Sequence, residues 1–316
     1  MEKTNPETKA TYVGVDVSKA QLDYTMDGER DEHAPNDPAG HKDLITRLRE
    51  LPGRVVVVCE STGPYHQLLV AALVEARIEV CVVMPGRVRA YAESQGILAK
   101  TDKLDARVLR KYAEASKLRP YEPVDPACVV LRELLEYRRQ ISDQKVAVSN
   151  RLSVAGPVLR QRLERQLQFL KEELAATDRA IEEHIEKDDN LRPKAKRMRE
   201  LKGVGPVLAA TLLAYVPEIC SLTANQLAAL VGVSPHPRDS GKSRKPRHVR
   251  GGRRVVRNVL YMAAVAATNR NQILASYYNR LRERGKPGPV AIIAVMRKML
   301  HVIHRLMTKP DFALAG

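Results

Sequence analysis

The sequence is short of aromatic residues and of long apolar runs. Its 316 residues include no Trp and two Phe, so single-strand binding that depends mainly on stacking bases over aromatic rings is not expected. No apolar run approaches the roughly 20 residues that a bilayer-spanning helix needs. The first residues, MEKTNPETKATY, are polar. We therefore expect a cytoplasmic protein that does not act at a membrane.

Cysteines are few and far apart in the chain. Cys59, Cys81, Cys128 and Cys220 are separated by 22, 47 and 92 residues. No pair therefore has the close spacing of a zinc site or a redox motif. We expect four free thiols in a reducing compartment.

Acidic residues are scarce in the last third of the chain. Residues 191–316 carry 24 Lys/Arg against 5 Asp/Glu, whereas residues 1–120 carry 18 of each and residues 121–190 carry 11 against 14. The formal net charge of +16 therefore comes from the last third. A basic module joined to a neutral one indicates a polyanion partner such as a nucleic acid. The alternative is a basic surface that is merely well solvated.

The first third alternates strand and helix patterns. TYVGVDVS and QLDYTM follow each other with almost no linker, which predicts an antiparallel hairpin. RVVVVCE and IEVCVVM are continuous apolar runs typical of strands buried on both faces. Helix patterns cover 39–51 and 64–76. The expected fold is a mixed α/β sheet with helices over its faces.

The rest of the chain is predicted to be mostly helical. Leucines at 163, 167, 170 and 174 with Ile181 give heptad-like spacing, and Gly156-Pro157 interrupts it, so we expect a helical hairpin or coiled coil. That segment is either a spacer within one molecule or a seam between two chains. The predicted domains are 1–120, a helical segment 121–190 and 191–316, with a linker at 187–196. Further helices are predicted at 205–215, 224–231, 253–268, 272–284 and 288–307.

Four carboxylates are candidates for a metal site. Asp16 and Glu60 end two predicted strands, and Asp102 and Asp105 lie three apart on a predicted helix and share a face. Such acids would repel one another unless cations neutralise them, and oxygen ligands favour Mg²⁺ or Mn²⁺. Taken singly, Asp102 also fits a helix cap and Glu60 an acceptor in a turn.

The basic C-terminal third contains two further motifs. Gly203 and Gly205 in LKGVGPVLAATLLAY fit a helix-hairpin-helix that approaches phosphate through backbone N–H groups, or else a tight turn between packed helices. Ser240 and Gly241 lie in a loop rich in cations suited to phosphate, and from chemistry alone this serine contacts phosphate or solvent. Ser234 and Ser243 are its neighbours in this loop, and His301 and His304 fit a structural role. The cations are Arg238, Lys242, Arg244, Lys245, Arg247, Arg250, Arg253, Arg254 and Arg257.

The motifs YVGVDVSKAQLD, CESTGPY and KTDKLDARVL resemble those of RuvC-like, DEDD-type insertion-sequence transposases, which are relatives of the Piv invertases. The resemblance implies an RNase H-like domain in which Asp16, Glu60, Asp102 and Asp105 bind Mg²⁺. Lys100, Lys103 and Arg107 would then attract the nucleic-acid backbone. The region from Ser234 to Arg257, with NVLYMAAVAATN behind it, resembles the C-terminal transposase domain of the same bridge-RNA-guided recombinases. There the resemblance implies that Ser240 is the nucleophile, although Gly251-Gly252-Arg253 departs from the usual pattern.

The resemblance implies a function for the whole chain. It predicts a recombinase that cuts and rejoins target and donor DNA through a phosphoserine link, guided by a structured non-coding RNA. A homodimer that assembles into a tetramer on paired DNAs is expected, with sites shared between chains. Two alternatives remain at this stage: a Mg²⁺-dependent nuclease or junction resolvase in which water attacks, and a non-catalytic nucleic-acid scaffold.

Overall fold

The computed structural model of the chain describes residues 10–61, 63–97, 102–236 and 248–314. The chain divides into two compact units, residues 1–123 and 124–316. Over the described residues, no helix is both long enough and apolar enough to cross a bilayer. The division into three domains stays a prediction.

The first unit is built on a five-stranded mixed sheet. Its strands are β1 Thr11–Val17, β2 Gln21–Thr25, β3 Glu32–Pro35, β4 Val55–Glu60 and β5 Glu79–Val83. Their spatial order is β3-β2-β1-β4-β5. The pairs β1–β2 and β2–β3 are antiparallel, whereas β1–β4 and β4–β5 are parallel. The predicted hairpin and mixed sheet are confirmed, and β3 is an edge strand that the sequence pattern did not indicate.

Helices cover both faces of this sheet. They are α1 Pro38–Glu50, α2 His66–Glu75, α3 Pro85–Ser94 and α4 Asp102–Ala115. Helices α1 and α2 pack against one face through Leu44, Leu48 and Leu69. On the opposite face, α3 and α4 pack against Val56 and Val58. Alternating valines of one strand thus serve two cores, which explains the unbroken apolar run of β4.

A helical hairpin begins the second unit. Helices α5 Pro126–Ser153 and α6 Pro157–Lys187 pack along each other. Ile141, Val148 and Leu170 are buried between them, with Leu163, Leu167 and Leu174 packed alongside. The turn lies at the predicted Gly156-Pro157 break, because Pro157 occupies the first turn of α6, where its missing N–H is tolerated. The leucine pattern therefore packs within the chain, and a coiled coil between chains stays a prediction.

The linker predicted at 187–196 is wrong, because a helix, α7 Leu191–Arg199, occupies most of it. The Asp188 carboxylate accepts hydrogen bonds from the backbone N–H groups of Asn190 and Leu191 at 2.9 and 2.8 Å. Leu191, Ala195 and Met198 are buried at the spacing of one helix face. The many charges of this segment lie on the opposite face and concealed that short apolar stripe.

The five remaining long helices share one hydrophobic core, in which helix α12 is central. They are α8 Pro206–Tyr215, α9 Ala224–Val231, α10 Arg254–Arg270, α11 Gln272–Glu283 and α12 Gly288–Thr308. Helix α12 buries Val295, Met299 and Ile303 among them. A short antiparallel pair, β6 Pro235–His236 and β7 His248–Val249, lies between α9 and α10. The predicted helix positions are thus confirmed.

Candidate active site and nucleic-acid surface

Asp16 and Glu60 lie on the same face of the sheet. Successive side chains of a strand point to opposite faces. Val15 and Cys59 pack on the α1–α2 side, so the next residue of each strand points to the α4 side. The parallel register pairs Val15 with Cys59, and one further step of it brings Asp16 beside Glu60. Two of the predicted carboxylates therefore occupy neighbouring positions at the carboxyl edge of the sheet.

A glycine brings the third carboxylate to this edge. A Cβ atom at Gly14 would overlap the backbone oxygen of Ala106 on α4, so only glycine allows this close approach. Along α4, Arg107 contacts Asp31 and Arg110 lies beside Gly28. Asp31 leads into β3 near the level of Gly14, whereas Gly28 lies in the turn toward the amino end of β1. Because Arg107 is near the first and Arg110 near the second, α4 runs opposite to β1.

The first turn of α4 therefore lies toward the carboxyl end of β1. Asp105 immediately precedes Ala106, the residue packed on Gly14, and Asp16 is two residues beyond that glycine. The backbone of Asp102 belongs to the same helical turn, but its side chain lies outside the described part of the structure.

The hairpin register adds a carboxylate that sequence reasoning missed. Asp23 on β2 is the direct partner of Asp16 on β1, and opposed residues of an antiparallel pair share a face. The Gln21 side-chain amide donates a hydrogen bond to the Asp23 carboxylate at 2.8 Å. The signal was present in the hairpin motif YVGVDVSKAQLD, because pairing its two strands about residues 18–21 puts Asp16 opposite Asp23.

The donor chemistry of this edge fits a hard divalent cation. Asp16, Glu60 and Asp105 offer only oxygen ligands and are partly buried. Each of them also takes part in an interaction with the rest of the chain. Among the described side chains, no group of three or more Asp, Glu, His or Cys is close enough to hold a metal ion. The metal quartet stays a prediction.

The cations near α4 differ in their surroundings. Arg107 donates to both carboxylate oxygens of Asp31, at 2.7 and 2.8 Å, and to the backbone oxygen of Glu29. This arginine therefore fastens α4 to the chain that leads into β3. Its contact with nucleic acid stays a prediction, while Lys100 and the side chain of Lys103 lie outside the described residues.

The predicted nucleophile lies in a loop whose two ends the structure holds together. Pro235 pairs with Val249 and His236 with His248. Behind this pair, a Cβ atom at Gly232 would overlap the backbone oxygen of Gly251. Gly251 and Gly252 have φ of 70° and 77°, which glycine adopts without strain. Ser240 itself lies outside the described residues, as do Arg238, Lys242, Arg244, Lys245 and Arg247.

The arginines that follow the loop divide into two kinds. Arg253 donates to the backbone oxygen of Tyr215 and to the Glu218 carboxylate, at 2.6 and 2.5 Å. Arg257 donates to the backbone oxygen of Gly251. These two support the base of the loop. Arg250 and Arg254 are exposed and form no ion pair with any described acid, which leaves their charges available to phosphate.

Packing explains one of the two glycines in the turn before α8. Gly203 has φ of 112°, and a Cβ atom there would lie 2.6 Å from the Cβ of Ala267. Gly205 precedes the first turn of α8 and has open space around it. Gly203 is therefore required by the fold, and phosphate binding at this turn stays a prediction that depends on the N–H groups near Gly205.

All four cysteines are free, as predicted. Burial raises the pKa of the Cys59 thiol to about 12 and that of the Cys81 thiol to about 11. A thiol nucleophile must be deprotonated, so these two have no nucleophilic role near neutral pH.

Comparison with known families places two transposase regions on the chain. A transposase profile of the DEDD type of IS110 matches residues 13–155. A second profile, described as transposase of the IS116/IS110/IS902 family, matches residues 195–279. The first match contains Asp16, Glu60, Asp102 and Asp105, and the second contains Ser240.

Individual relatives agree with both profiles. The chain is 24% identical over 307 residues to the pilin gene-inverting protein of Moraxella lacunata, covering 94% of this chain and 95% of that protein. It is 31% identical over 136 residues to the 43.6 kDa protein of insertion element IS110 from Streptomyces coelicolor. That match covers 42% of this chain and 34% of the Streptomyces protein. Two regions of the chain, residues 13–155 and 195–279, are therefore similar to transposase domains of the IS110/IS116 family.

Proposed function

We propose that this protein is a DNA recombinase that moves or inverts a DNA segment by cutting and rejoining strands through Ser240. The observation that carries the strand-cutting part of the proposal is that Asp16, Glu60 and the first turn of α4 lie at one sheet edge. The two family matches support it, since each contains one half of the required chemistry. The name of the Moraxella protein, which inverts a pilin gene, favours strand exchange over simple cleavage.

The proposed chemical step exchanges one phosphoester bond for another, so that the phosphate stays a diester throughout. The Ser240 hydroxyl oxygen attacks phosphorus, the bond from phosphorus to a deoxyribose oxygen breaks, the serine loses its proton and the departing oxygen gains one. Reversal with a different strand end restores the serine. A covalent intermediate divides the exchange into two easier steps and needs no external energy source.

The carboxylates have a separate role in this proposal. Asp16, Glu60, Asp102 and Asp105 would hold Mg²⁺, which when bound supplies positive charge to a phosphate under attack. The carboxylates would hold this ion at the sheet edge, and the arginines of residues 191–316 would bind DNA backbone phosphates. Ser240 and the carboxylates belong to different compact units.

The proposed partners are target and donor DNA and a structured guide RNA. Base pairing would then select the sites, leaving the protein to bind shape and backbone. The charge distribution supports these separate roles of RNA and protein, because Lys and Arg side chains attract the phosphates of a nucleic acid whatever its base sequence.

A homodimer is also part of the proposal. Val154 and Val158, at the turn between α5 and α6, are 85% and 84% exposed. Such apolar side chains at the tip of a long hairpin favour contact with a second chain. Pairing of dimers on two DNAs would give the tetramer.

A second candidate function is Mg²⁺-dependent cleavage with water as the nucleophile. The placement of the carboxylates favours it as much as it favours recombination, because a metal site alone suffices for hydrolysis. In this case Ser240 would only contact the nucleic acid.

Recombination of a plasmid that carries the cognate element, in the presence of its guide RNA, separates the candidates. Ser240→Ala should abolish both recombined product and strand cleavage, whereas Ser234→Ala should retain them. Asp16→Asn should abolish both as well. Cleavage by Ser240→Ala at the wild-type rate would overturn the recombinase and support the nuclease.

A further inference from the structure

A cleft beside α12 has no role in the function described so far. Its volume is about 690 Å³, within the range of roughly 300–1,000 Å³ typical of small-molecule sites. One wall is the face of α12 from Val290 to Arg305, and Tyr277 of α11 lies opposite. Pro235 and Val249, which pair at the two ends of the loop that carries Ser240, also line the cleft, so the cleft reaches the base of that loop. We name it the α12 cleft.

The α12 cleft is lined by three cations that no described acid neutralises. Arg297 donates to the side-chain oxygen of Asn225 at 3.0 Å. The ammonium nitrogen of Lys298 lies 4.6 Å from the ring centroid of Tyr277, and the guanidinium of Arg305 lies 5.9 Å from that of Phe312. Each cation is thus oriented by a neutral group. The described lining contains no Asp or Glu, so the positive charge of the cleft is uncompensated.

A histidine in the same lining has an unused hydrogen-bonding atom. The Nε2 atom of His301 is buried and has no hydrogen-bond partner among the described residues. Its neighbour His304 differs, since its Nε2 lies 2.7 Å from the backbone oxygen of Leu222. Burial, and then the nearby Arg297, lower the pKa of His301, so the ring is neutral at pH 7. A buried polar atom without a partner is unfavourable, so a turn of the His301 ring toward a ligand in the cleft would gain a hydrogen bond.

The rest of the lining is apolar. Ile293, Ala294 and Val302 lie on the α12 face between the cations, and Val233 lies across from them. An inorganic anion would use the cations but leave this wall exposed to water. A ligand that combines phosphate with a flat apolar body would use both, and arginine forks match phosphate oxygens well.

We propose that the α12 cleft binds one nucleotide unit of a nucleic-acid strand, with its phosphate at Arg297 and Lys298 and its base against Val302, about one helical turn farther along α12. His301 then hydrogen-bonds to an edge of that base. This inference rests on the proposed function, which supplies the nucleic acid. It adds a site that holds one nucleotide at the base of the Ser240 loop.

Binding of fluorescein-labelled oligonucleotides to the full chain tests this site by fluorescence anisotropy. The probes are dT12 and the RNA rU12, which distinguish DNA from RNA as the source of the nucleotide. Ala294→Phe fills the cleft and leaves every cation in place. It should weaken binding of at least one probe tenfold or more. The matched control is Ala175→Phe, at an exposed position of α6, which should bind both probes like the wild type.

A second variant removes charge instead of space. Arg297→Gln with Lys298→Gln should weaken binding and reduce the slope of log K against log salt by about 0.7 for each lost phosphate contact. The control is Arg284→Gln with Lys286→Gln, an equal charge change at exposed positions, which should leave both affinity and slope near wild type. Thermal unfolding of each variant identifies any that fail to fold, and the inference is judged on the variant that folds.

Competition defines the ligand chemistry. Thymidine monophosphate should displace the bound probe at a concentration at least tenfold lower than inorganic phosphate or a glutamate-rich peptide does. Equal displacement by either competitor would overturn the inference, as would wild-type binding of both probes by Ala294→Phe.

The outcome is separable from that of the proposed function. Ser240→Ala should bind the probes like the wild type although it cannot recombine DNA. If Ala294→Phe bound and recombined normally, only the α12 cleft would lose its role.

Discussion

Single residues at the sheet edge explain why this region is suited to a cation. Asp16 and Asp23 oppose each other across β1 and β2, and opposed like charges destabilise a strand pair. A protein that keeps such a pair trades stability for function. A cation bound at this edge would reduce the repulsion between the two carboxylates.

We predict that Mg²⁺ stabilises the wild type but stabilises Asp16→Asn much less. At a concentration 100 times Kd, binding adds about 2.7 kcal/mol to the free energy of unfolding. In EDTA this difference in response should be absent, and any stability difference that remains is that of the substitution itself. Thermal unfolding with EDTA and with Mg²⁺ measures both effects.

Asp43→Asn is the control for that experiment, since Asp43 is exposed on α1. It should retain the wild-type response to Mg²⁺. An equal Mg²⁺ response in Asp16→Asn would contradict a metal site at Asp16.

The base of the Ser240 loop gives a pH prediction. Burial is the largest single influence on the pKa of Glu218 and raises it, but the hydrogen bond from Arg253, a backbone hydrogen bond and the charges of Arg253 and Arg132 together hold that pKa below its ordinary value of 4.5. A carboxylate with a depressed pKa contributes stability above its unfolded-state pKa and loses it as the pH falls through the folded-state pKa. The advantage of the wild type over Glu218→Gln should therefore shrink below about pH 4.5. Urea unfolding from pH 7 to pH 3 measures it, and an advantage that grows on acidification would refute the assignment.

At the scale of elements, the position of α4 determines the site. Gly14→Ala would force the helix away from β1, because the new Cβ overlaps backbone and not a flexible side chain. We expect the free energy of unfolding to fall by about 1–3 kcal/mol and recombination to be lost, since Asp102 and Asp105 move with the helix. Gly86→Ala, in the first turn of α3 with open space around it, should keep activity and stability. Normal recombination by a folded Gly14→Ala would contradict this role of α4.

The sequence predicted those elements that have a strong apolar period. β4 and β5 are long valine-rich runs and α10–α12 repeat apolar residues at helical spacing, so their positions follow from pattern alone. β3 was missed because EHAP has four residues and one buried apolar side chain. α7 was missed because its charges outnumber the three residues that face the core.

The sequence could predict only those site residues whose position follows from the end of a strand or the face of a helix. Asp16, Glu60 and the D-x-x-D pair were visible because each follows or begins a periodic segment. Asp23 was not proposed, because its place depends on the hairpin register. The α12 cleft depends on the packing of α11, α12 and the β6–β7 pair, which no local pattern specifies.

At the scale of the whole molecule, the exposed hairpin tip predicts self-association. Val154→Glu combined with Val158→Glu should convert a dimer to a monomer. The glutamates of the two chains would repel one another at a contact that is apolar in the wild type. The matched control is Gln161→Glu with Gln166→Glu, an equal charge change at exposed positions farther along α6, which should leave the mass unchanged. Sedimentation velocity measures the result, and a wild type that is monomeric at all concentrations would exclude this dimer contact.

Complementation tests whether the proposed active site is shared between chains. The carboxylates lie in residues 1–123 and Ser240 in residues 124–316. If the site forms between chains, mixing Ser240→Ala with Asp16→Asn should restore part of the recombination that each lacks. A mixture as inactive as its components would place both halves of the site in one chain.

The most direct test is to trap the covalent protein–DNA adduct. End-labelled DNA, the guide RNA, Mg²⁺ and wild-type protein are mixed, stopped with denaturant and separated on a denaturing gel, and the modified peptide is identified by mass spectrometry. We predict a DNA-linked protein with the phosphate on Ser240, absent from Ser240→Ala and from Asp16→Asn. Cleaved DNA without any linked protein, or an adduct that persists in Ser240→Ala, would contradict the account.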